Sequence, residues 1–554
     1  MENISKLLSE IIKSEVIFSG QYYTYRGAFS LSTKIKKDPE LICKEILSNI
    51  DLPDGITAVI SRGMINFNLE KEFISKQIKH ILKSDNLIKK SKTNKKVLVD
   101  FSSPNIAKDM HVGHLRSTII GESICRLLEY VGEEVLRINH IGDFGLQFGM
   151  IIQHLLDNVP DFEKNGINIS ELQSFYAESK KQFDTDENFK KKAYQRVVEL
   201  QQGDTEVVKA WEYIKEVSRK AYSEIYSRLD IKLEEVGESF YQKLIPSVIE
   251  EVKNKNLIIQ DEGRMIMFTP TSNIPLTLIK SDGGYTYDTT DLAALYYRLI
   301  KLDCDKIIYV VDNGQSEHFK VLFSAAKLAG WLTTQDVLHV GFGVVLNEKG
   351  QKFKSRDGNT VKLIDLLNEG INRTSQLRKI NNMSEEEHNA MVESISYSSI
   401  KYADLSSTRT KDYRFSFDSM LSLTGNTAPY LLYAYVRLSA ILRNASNYYM
   451  EALNKIDDFE VTNQLEINLC NKILQYPEII EKIKIDYMFH SLCNYIYEIA
   501  TSVQKFSEQC RCLNYDSNKK IISANYNRLL ICHLTCNIMK DCFYILGIKP
   551  IEKM

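Results

Sequence analysis

Long apolar runs are missing from this sequence, and none approaches the roughly 18 residues that a membrane-spanning helix needs. A leader pattern is missing too, because Glu2, Glu10 and Glu15 interrupt the stretch that a signal or transit peptide keeps free of acidic residues. The ten cysteines form no C-x-x-C pair, so buried reduced thiols are a better interpretation than a disulfide framework or a metal site. We therefore expect a cytosolic protein with no membrane segment and no protein-bound metal.

An excess of positive charge is also missing. Lysine plus arginine number 70 and aspartate plus glutamate 72, which gives a net charge of -2. This balance excludes a globally basic nucleic-acid coat but permits a local basic face. The content of 44% apolar and 26% charged residues is typical of a globular protein. Since 554 residues exceed what one hydrophobic core usually holds, we expect about three domains.

The spacing of apolar residues divides the chain into three parts. Residues 1–90 predict a small α/β domain with an amphipathic first helix and a half-buried strand over 64–69, and a lysine-rich linker follows at 89–96. Residues 95–384 predict a domain in which strands and helices alternate around a parallel sheet, with a charged helical insertion at about 160–260. Residues 385–554 predict a helical bundle.

The alternation in the middle part predicts a Rossmann-like fold. The fold class is therefore α/β, with a parallel-sheet catalytic domain, a helical insertion, a small N-terminal α/β domain and an all-α C-terminal bundle. The predicted strands of the sheet cover residues 97–101, 135–138, 306–311 and 337–346, and the predicted helices cover 115–130 and 319–328.

The loop after the first predicted strand ends in His111-Val-Gly-His114, at the start of a helix. This edge of a parallel sheet is where nucleotides bind, and the free N–H groups of a helix start favour phosphate. Gly113 permits close approach of a ligand to the backbone, and two imidazoles three residues apart can donate hydrogen bonds to triphosphate oxygens. For the tetrapeptide alone, capping histidines or a metal-binding pair are the alternatives.

His111-Val-Gly-His114 resembles the HIGH motif of the class I aminoacyl-tRNA synthetases. The longer segments 102–122 and 137–149 resemble the arginyl-tRNA synthetases in particular. The resemblance covers nearly the whole chain, and the N-terminal 90 residues and the insertion match least well. It continues through residues 285–299, 307–323, 352–367 and 425–437.

The resemblance implies a two-step reaction. The carboxylate of L-arginine attacks the α-phosphate of ATP, bound as its Mg²⁺ complex, and the arginyl-adenylate then passes arginine to the 3′ end of tRNA(Arg). It also implies that tRNA is bound before activation and that the N-terminal domain contacts the tRNA. We expect no tightly bound cofactor and a monomer. A catalytically inactive tRNA-binding paralogue and a class I synthetase of other amino-acid specificity are the alternatives.

Two carboxylates are candidates for holding the substrate guanidinium, which is a planar fork of donors. Asp100 ends the first strand, and Asp291 lies one helical turn after Tyr287, so that both side chains face one side. The resemblance implies that Tyr287 and Asp291 hold the arginine side chain. The residues implied to bind the other end of arginine or to line its pocket are Ser103, Pro104, Asn105, His114 and Gln315.

The second nucleotide signature of the class, K-M-S-K-S, is replaced here by K-F-K-S-R-D-G-N at residues 352–359. Lys354 and Arg356 still offer two positive charges to the pyrophosphate leaving group, and Lys354 and Ser355 are expected to bind ATP. We hypothesise that Lys108 supplies the missing lysine charge, so that Lys108→Ala should slow activation. An exposed charged turn is the alternative for this segment.

The C-terminal helical region resembles the anticodon-binding bundle of the same family. Tyr433, Arg437 and Arg443 lie close together in the sequence. Aromatic rings interleaved with arginine suit unstacked loop bases, which are bound by stacking and by edge contacts. We expect these three residues to bind tRNA; a bundle core with solvated arginines is the alternative.

Overall fold

The computed structural model describes residues 3–19, 22–84, 87–88, 90, 95–159, 161–164, 166–351, 361–376 and 383–554. The chain forms two compact units. The first comprises Met1–Lys90, Arg378–Thr408 and Asp418–Met554, and the second comprises Ser91–Leu377 and Arg409–Phe417. The division into three domains stays a prediction. Within the described ranges, no helix has the length and apolar content to cross a membrane.

The first unit begins with four helices and four strands. They are α1 (Ile4–Ile12), β1 (Val16–Ser19), β2 (Tyr22–Tyr25), α2 (Ala28–Ile35), α3 (Pro39–Ser48), β3 (Ile56–Ser61), β4 (Met64–Leu69) and α4 (Lys71–Lys83). The strands form one antiparallel sheet in the order β1-β2-β4-β3. Ile65 and Phe67 alternate on the buried face of β4, which confirms the predicted half-buried strand.

The second unit contains the alternating strands and helices. Its elements as far as residue 375 are β5 (Lys96–Asp100), α5 (Val112–Tyr130), β6 (Glu134–Asn139), α6 (Leu146–Asn158), α7 (Ile169–Thr185), α8 (Glu187–Gln202), α9 (Thr205–Arg228), β7 (Glu234–Glu235), α10 (Glu238–Gln242), α11 (Ile245–Asn254), β8 (Ile259–Asp261), β9 (Arg264–Thr269), β10 (Ser272–Ile279), α12 (Tyr287–Tyr296), β11 (Lys306–Tyr309), α13 (Ser316–Leu328), β12 (Asp336–His339), β13 (Val345–Leu346) and α14 (Leu363–Ser375). A π-helical turn, Tyr297–Lys301, continues α12.

The remaining elements are mostly helical and, apart from β14 and the start of α16, belong to the first unit. They are α15 (Glu385–Leu405), β14 (Tyr413–Arg414), α16 (Phe417–Met420), α17 (Ala428–Leu453), α18 (Gln464–Leu474), α19 (Tyr476–Asp486), α20 (His490–Gln509), β15 (Leu513–Tyr515), β16 (Ile521–Ala524) and α21 (Tyr526–Ile545).

The central sheet of the second unit is parallel, with the strand order β12-β11-β5-β6-β7. Val97, Leu98 and Val99 of β5 are all buried, because helices cover both faces of a parallel sheet. The chain leaves β5 towards β6 on one side and reaches β11 on the other. The strand order therefore reverses between β5 and β11, at the position where such sheets bind ligands.

Three parts of the fold differ from the sequence prediction. The predicted strand over 337–346 is two short strands, because β13 leaves the parallel sheet and pairs with β14. An antiparallel sheet, β10-β9-β8, follows the insertion. The C-terminal helices enclose one hairpin, β15-β16, so that this region is not wholly helical.

Within the first unit, the N-terminal segment contacts the C-terminal helices. The backbone N–H of Val461 donates to Ser75 Oγ at 3.1 Å, and Lys83 forms an ion pair with Asp457. All ten cysteines of the chain are described, and each carries a free thiol and is buried, which confirms the predicted burial of the cysteines.

Candidate functional site

A cavity of about 430 Å³ opens where the strand order of the parallel sheet reverses. Its walls come from the loop after β5, the start of α5, the loop after β11 and the segment that leads into β13. Residues of the predicted nucleotide loop line it together with apolar side chains of the opposite wall. They include Ser103, His111, Gly113, His114, Val311 and Val345.

The loop after β5 has an unusual backbone conformation. Ser102 and Ser103 have φ angles of 74° and 46°, and Ala107 has a φ of 64°. Such angles are costly for residues other than glycine and persist only where the surroundings fix them. Here the N–H of Ser102 donates to Ser117 Oγ at 2.8 Å, and the N–H of Ser103 donates to Asn139 Oδ1 at 2.9 Å. The strained loop is therefore held at both serines by neighbouring side chains.

Pro104 and Asn105 follow the two serines and pair with Gly142. The N–H of Gly142 donates to Pro104 O at 3.3 Å, and the N–H of Ile106 donates to Gly142 O at 3.2 Å. Pro104 is buried, whereas Asn105 is exposed. A Cβ on Gly142 would lie 2.4 Å from the Asn105 Oδ1, so a larger residue there would displace this amide.

Helix α9 of the insertion supports the same loop from behind. The Tyr222 hydroxyl lies 2.7 Å from Asn105 O and 2.8 Å from Lys108 O. The Ser218 Oγ accepts the N–H of Ala107 at 3.0 Å. The sequence analysis missed these two residues. In the sequence they could have been noticed as a serine and a tyrosine four residues apart, on the side of a charged helix that carries the apolar residues.

His111 and His114 form a capping box at the start of α5. The His111 Nδ1 accepts the N–H of Gly113 at 3.0 Å, and the His114 Nδ1 accepts the N–H of His111 at 3.1 Å. The two ring centroids are 4.0 Å apart. A Cβ on Gly113 would lie 2.7 Å from the His111 ring, which explains the glycine between the histidines.

Both rings are neutral with a defined tautomer. Burial, and secondly the charge of Lys108, lowers the pKa of His111. Burial and the neighbouring His111 lower the pKa of His114 to about 3. Because each Nδ1 accepts a hydrogen bond, the proton of each neutral ring lies on Nε2. The capping interpretation and the nucleotide interpretation are thus compatible, since capping uses Nδ1 and leaves two N–H donors at the cavity.

Of the predicted cations of the site, Lys108 is among the described residues. The Lys108 ammonium lies 4.9 Å from the centre of the Tyr176 ring on α7. Lys354, Ser355 and Arg356 lie outside the described residues. The chain beyond them is described again from residue 361, and the N–H of Val112 donates to Val361 O at 3.3 Å.

Asp100 is held inside the protein. Its carboxylate is 3% exposed and lies 2.7 Å from Nη1 of Arg298, which is fully buried on the π-helical turn. The Ser103 hydroxyl donates to Asp100 Oδ1 at 3.1 Å. This carboxylate is therefore paired with a guanidinium of the protein itself, whereas the sequence predicts that it binds the guanidinium of the substrate. That predicted contact stays a prediction.

A second group of predicted residues lies at the start of α12 and α13. Tyr287 is 68% exposed, and the Asp291 side chain is 32% exposed. Gln315 is exposed and precedes α13 directly. The His318 Nε2 lies 2.7 Å from Asp291 Oδ2. The structure thus brings Tyr287 and Asp291 together, and adds a histidine that the sequence analysis missed although it lies one turn after Gln315.

Glu238, at the start of α10, is a further residue that the sequence analysis missed. Burial, and then the charges of Asp291 and Asp143, raises its pKa to about 7. Asp143 is 1% exposed and accepts the N–H of Ser239 at 2.9 Å, which fixes the start of α10. No local pattern marks Glu238, because its neighbours come from distant parts of the chain.

His140 connects the two groups of residues. Burial lowers its pKa, and the charges of Asp100 and Asp291 act in the opposite direction. The His140 Nδ1 lies 3.9 Å from Asp100 Oδ2. The carboxylates of Asp100, Asp291 and Glu238 therefore belong to one continuous charged region beside the end of the parallel sheet.

Arg116 fixes the opposite wall of the cavity and was also missed. It is 1% exposed, and its Nη1 donates to Gly343 O at 2.7 Å and to Lys411 O at 3.0 Å. Its guanidinium lies 5.1 Å from the centre of the Tyr413 ring. One arginine of α5 thus joins the histidine-bearing helix to the chain that leads into β13.

The predicted tRNA-binding residues lie on α17 in the first unit. Tyr433 is 53% exposed, and Arg437, one turn later, is partly exposed on the same face. Arg443 donates from Nη2 to Glu552 O at 2.9 Å and forms an ion pair with the Glu552 carboxylate. Tyr433 and Arg437 are accessible to a ligand, whereas Arg443 is engaged with the C-terminal segment.

Among the described residues, no group of three or more histidine, cysteine, aspartate or glutamate side chains is placed to hold a metal ion.

Comparison with known protein families gives two matches. The family described as tRNA synthetases class I (R), catalytic domain, matches residues 77–417. The DALR anticodon binding domain matches residues 431–554.

Curated relatives match over most of the chain. The cytoplasmic arginine–tRNA ligases of Bos taurus and Homo sapiens are each 47% identical to it, over 549 and 548 residues. Each comparison covers 96% of this chain and 83% of the relative. The probable cytoplasmic arginine–tRNA ligase of Drosophila melanogaster is 46% identical over 550 residues, covering 96% of this chain and 82% of the relative.

Solved structures show the same fold. The crystal structure of arginyl-tRNA synthetase from Plasmodium falciparum is 35% identical, with a TM-score of 0.86 and coverage of 100% of both chains. The arginyl-tRNA synthetase of Thermus thermophilus has a TM-score of 0.77 at 20% identity over 100% of both chains. The predicted fold class, with its parallel-sheet catalytic domain and helical C-terminal region, is confirmed.

Proposed function

This chain belongs to the arginyl-tRNA synthetases, and from that membership we propose how its own residues activate L-arginine with ATP and transfer it to tRNA(Arg) for protein synthesis. The single observation that carries the proposal is the pair of neutral imidazole N–H donors at the cavity of a class I catalytic domain. The names of the relatives place them in the cytoplasm, and we propose the same location for this chain.

In the first step, an oxygen of the arginine carboxylate attacks the α-phosphorus of ATP. The bond to the β-phosphate oxygen breaks, and pyrophosphate leaves with the electron pair. ATP enters as its Mg²⁺ complex, in which the cation binds phosphate oxygens. The chain supplies position and charge stabilisation in this step, without a side-chain nucleophile or a tightly bound cofactor.

His111 and His114 donate from Nε2 to oxygens of the phosphate chain. Neutral rings suit this role, because their donors are fixed before the reaction and stabilise charge as it develops on the phosphates. The low pKa of His114 keeps its ring neutral when no phosphate is bound. Gly113 leaves room for the phosphates beside the first turn of α5.

Asp291 and Glu238 hold the substrate guanidinium, with Tyr287 beside them. The Asp291 charge contributes to the raised pKa of Glu238, which supports this pairing, since a guanidinium placed between the two carboxylates relieves their repulsion. The fork of a guanidinium has donors for more than one carboxylate oxygen. Ser103, Asn105 and Gln315 bind the α-amino and carboxylate end, and Pro104 lines the pocket.

The remaining cations act on the leaving group. Lys354 and Arg356 stabilise the pyrophosphate as it departs, Ser355 binds ATP, and Lys108 adds positive charge beside His111. Asp100 holds Arg298 by an ion pair and Ser103 by a hydrogen bond, and these contacts shape the site in addition to the contact with arginine that the sequence predicts.

In the second step, the terminal ribose hydroxyl of tRNA(Arg) attacks the acyl carbon of arginyl-adenylate. AMP leaves with the electron pair of the acyl–phosphate bond, and the proton of the hydroxyl passes to the departing phosphate or to water. Tyr433 and Arg437 bind anticodon-loop bases through stacking and charge, and Arg443 joins them when it releases Glu552. The N-terminal domain, residues 1–90, contacts the body of the tRNA, and the chain acts as a monomer.

Amino-acid-dependent exchange of pyrophosphate into ATP tests the proposal, with each amino acid in turn and with and without tRNA. Exchange should occur with arginine in the presence of tRNA. Exchange with another amino acid but not with arginine would overturn the specificity, and its absence with all of them would favour an inactive paralogue. The presence of His111, Gly113 and His114 argues against that alternative.

Asp291→Asn tests the guanidinium site separately. It should raise the Michaelis constant (KM) for arginine at least about tenfold and change that for ATP less than about twofold, because charged hydrogen bonds contribute most of the recognition. Asp336→Asn is the matched control: Asp336 starts β12 at the other end of the sheet, in a surface pair with Lys306. Equal effects of Asp291→Asn on both substrates would contradict the role.

A further inference from the structure

His318 lies between two carboxylates that the sequence spacing already places on one side of a helix. Its Nε2 lies 2.7 Å from Asp291 Oδ2, and its Nδ1 lies 3.5 Å from Asp288 Oδ1. Asp288 and Asp291 are three residues apart on α12, so their charges repel. An imidazole can donate from both nitrogens only when it carries two protons. The geometry therefore matches a cationic ring that separates and neutralises two anions.

Asp288 anchors this arrangement to the sheet behind it. It is 8% exposed, and its Oδ2 accepts the N–H of Thr277 on β10 at 2.9 Å. The contacts thus run from the backbone of β10 through Asp288 and His318 to Asp291. Because the backbone of β10 holds Asp288 through Oδ2, the carboxylate beside His318 has its own support on the side away from Asp291.

The surroundings of the ring favour its charged form. The Tyr287 and Phe319 rings have their centroids 5.4 Å from that of His318, and the side chain is 14% exposed. Burial alone lowers the pKa of His318, but the hydrogen bonds to Asp288 and Asp291 outweigh it and raise the pKa to about 9. The ring is therefore a cation at neutral pH.

We propose that His318 is a positioning residue for the substrate arginine, which fixes the Asp291 carboxylate through Oδ2 so that Oδ1 faces the guanidinium. The inference rests on the proposed role of Asp291 as a guanidinium ligand. Among the described residues, no hydrogen bond reaches Asp291 Oδ1, and a third of this side chain is exposed. Because one oxygen is held by a hydrogen bond, the carboxylate keeps one orientation and presents its other oxygen to the substrate.

His318 also joins the two helices that carry the arginine site. It lies on α13, one turn after Gln315, and it contacts Asp291 on α12. Gln315 binds the α-amino and carboxylate end of arginine in the proposed function, and Asp291 binds the other end. One side chain therefore fixes the distance between the groups that hold the two ends of the substrate.

His318→Gln tests the inference in the full-length protein. Glutamine can donate to one carboxylate but cannot carry the charge or reach both. Pyrophosphate exchange with tRNA present should show a KM for arginine raised about tenfold, with the KM for ATP and the kcat changed less than about twofold. An unchanged KM for ATP also shows that the variant has folded.

Lys320→Gln is the matched control. It removes a positive charge from the same helix, two residues further along, where the lysine side chain is 61% exposed and pairs with Glu317. The KM for arginine should stay within about twofold of the wild-type value. A rise in the Lys320→Gln protein as large as that in His318→Gln would show that only the net charge matters, and would overturn the inference.

A double-mutant cycle with Asp291→Asn separates this inference from the proposed function. If His318 acts through Asp291, His318→Gln should add less than about twofold to the KM for arginine of the Asp291→Asn protein. A full additional effect would overturn positioning. If Asp291→Asn raises that KM and His318→Gln does not, only the role of His318 fails. If Asp291→Asn has no effect, the guanidinium role of Asp291 fails.

Asp288→Asn keeps the inference testable if His318→Gln does not fold. It removes the carboxylate on the supporting side and leaves Asp291 and His318 in place. The KM for arginine should rise above the wild-type value by less than about tenfold, because the ring loses one of its two partners. A KM for arginine equal to the wild-type value in a folded Asp288→Asn protein would overturn the inference.

Discussion

The role proposed for Glu238 predicts that arginine binding depends on pH in a direction that the structure allows us to work out. Burial and the charges of Asp291 and Asp143 raise the pKa of this carboxyl group to about 7. The ionised carboxylate attracts a guanidinium, and the protonated group does not. As the pH rises through this pKa, the pocket gains a second negative charge beside Asp291. We therefore expect the KM for arginine to fall over this range.

The magnitude follows from the ionised fraction. With this pKa, about 9% of Glu238 is ionised at pH 6 and about 91% at pH 8. An apparent dissociation constant is the intrinsic constant divided by the competent fraction, so the KM for arginine should fall about tenfold. The pKa of His318 is raised to about 9 and that of His114 is lowered to about 3. Neither ring therefore changes charge over this interval.

The assay is tRNA-dependent pyrophosphate exchange at saturating ATP, with the KM for arginine measured at pH 6, 7 and 8. Glu238→Gln cannot ionise, and its KM should be high and independent of pH. Glu262→Gln, in an exposed turn between β8 and β9, is the matched control and should follow the wild type. A wild-type KM that is constant over this range would refute the reasoning, as would a Glu238→Gln protein that keeps the pH dependence.

Three further predictions concern the framework of the site. Asp100→Asn leaves the buried guanidinium of Arg298 without its carboxylate and should lower the free energy of unfolding by about 3–5 kcal/mol, measured by urea denaturation; an unchanged midpoint would contradict the pairing. Gly113→Ala places a Cβ against the His111 ring and should lower kcat about a hundredfold, with the melting temperature unchanged; full activity would show that the ring can move freely. Tyr222→Phe removes the hydroxyl that contacts the carbonyl groups of the loop after β5. It should lower the free energy of unfolding by about 1 kcal/mol and raise the KM for ATP. An unaltered KM for ATP would show that the loop keeps its conformation without this hydroxyl.

Local sequence patterns predict the elements that build the half of the site that we propose for ATP. Val97, Leu98 and Val99 form an uninterrupted apolar run, which is typical of a parallel strand covered on both faces. The run ends where polar residues, a glycine and two histidines begin, and β5, its loop and α5 follow this order. These features depend on residues close together in the chain, so the sequence alone could predict them.

The half of the site that we propose for arginine depends on contacts between distant residues. Asp100 was a reasonable candidate for binding a guanidinium, but its partner Arg298 comes from far along the chain, on a π-helical turn that no local pattern indicates. Glu238 takes its raised pKa from Asp291 and Asp143, which only the fold brings close. Similarly, β13 pairs with β14 and not with the parallel sheet, and the spacing of apolar residues could not predict this pairing.

The support that α9 gives to the loop after β5 sets a limit on how far this chain can be shortened. Helices α7–α9 of the predicted insertion separate β6 from β7 of the parallel sheet in the sequence and would be the first segment removed in the design of a smaller enzyme. Yet Ser218, Tyr222 and Tyr226 of α9 carry hydroxyl groups that the backbone and Ser102 of that loop use as partners. Deleting the insertion would remove the hydrogen bond that holds Ala107 at its positive φ, and would leave the two serines of the loop held by Ser117 and Asn139. A minimal synthetase would need substitutes for these three hydroxyls before it needed any new contact with ATP.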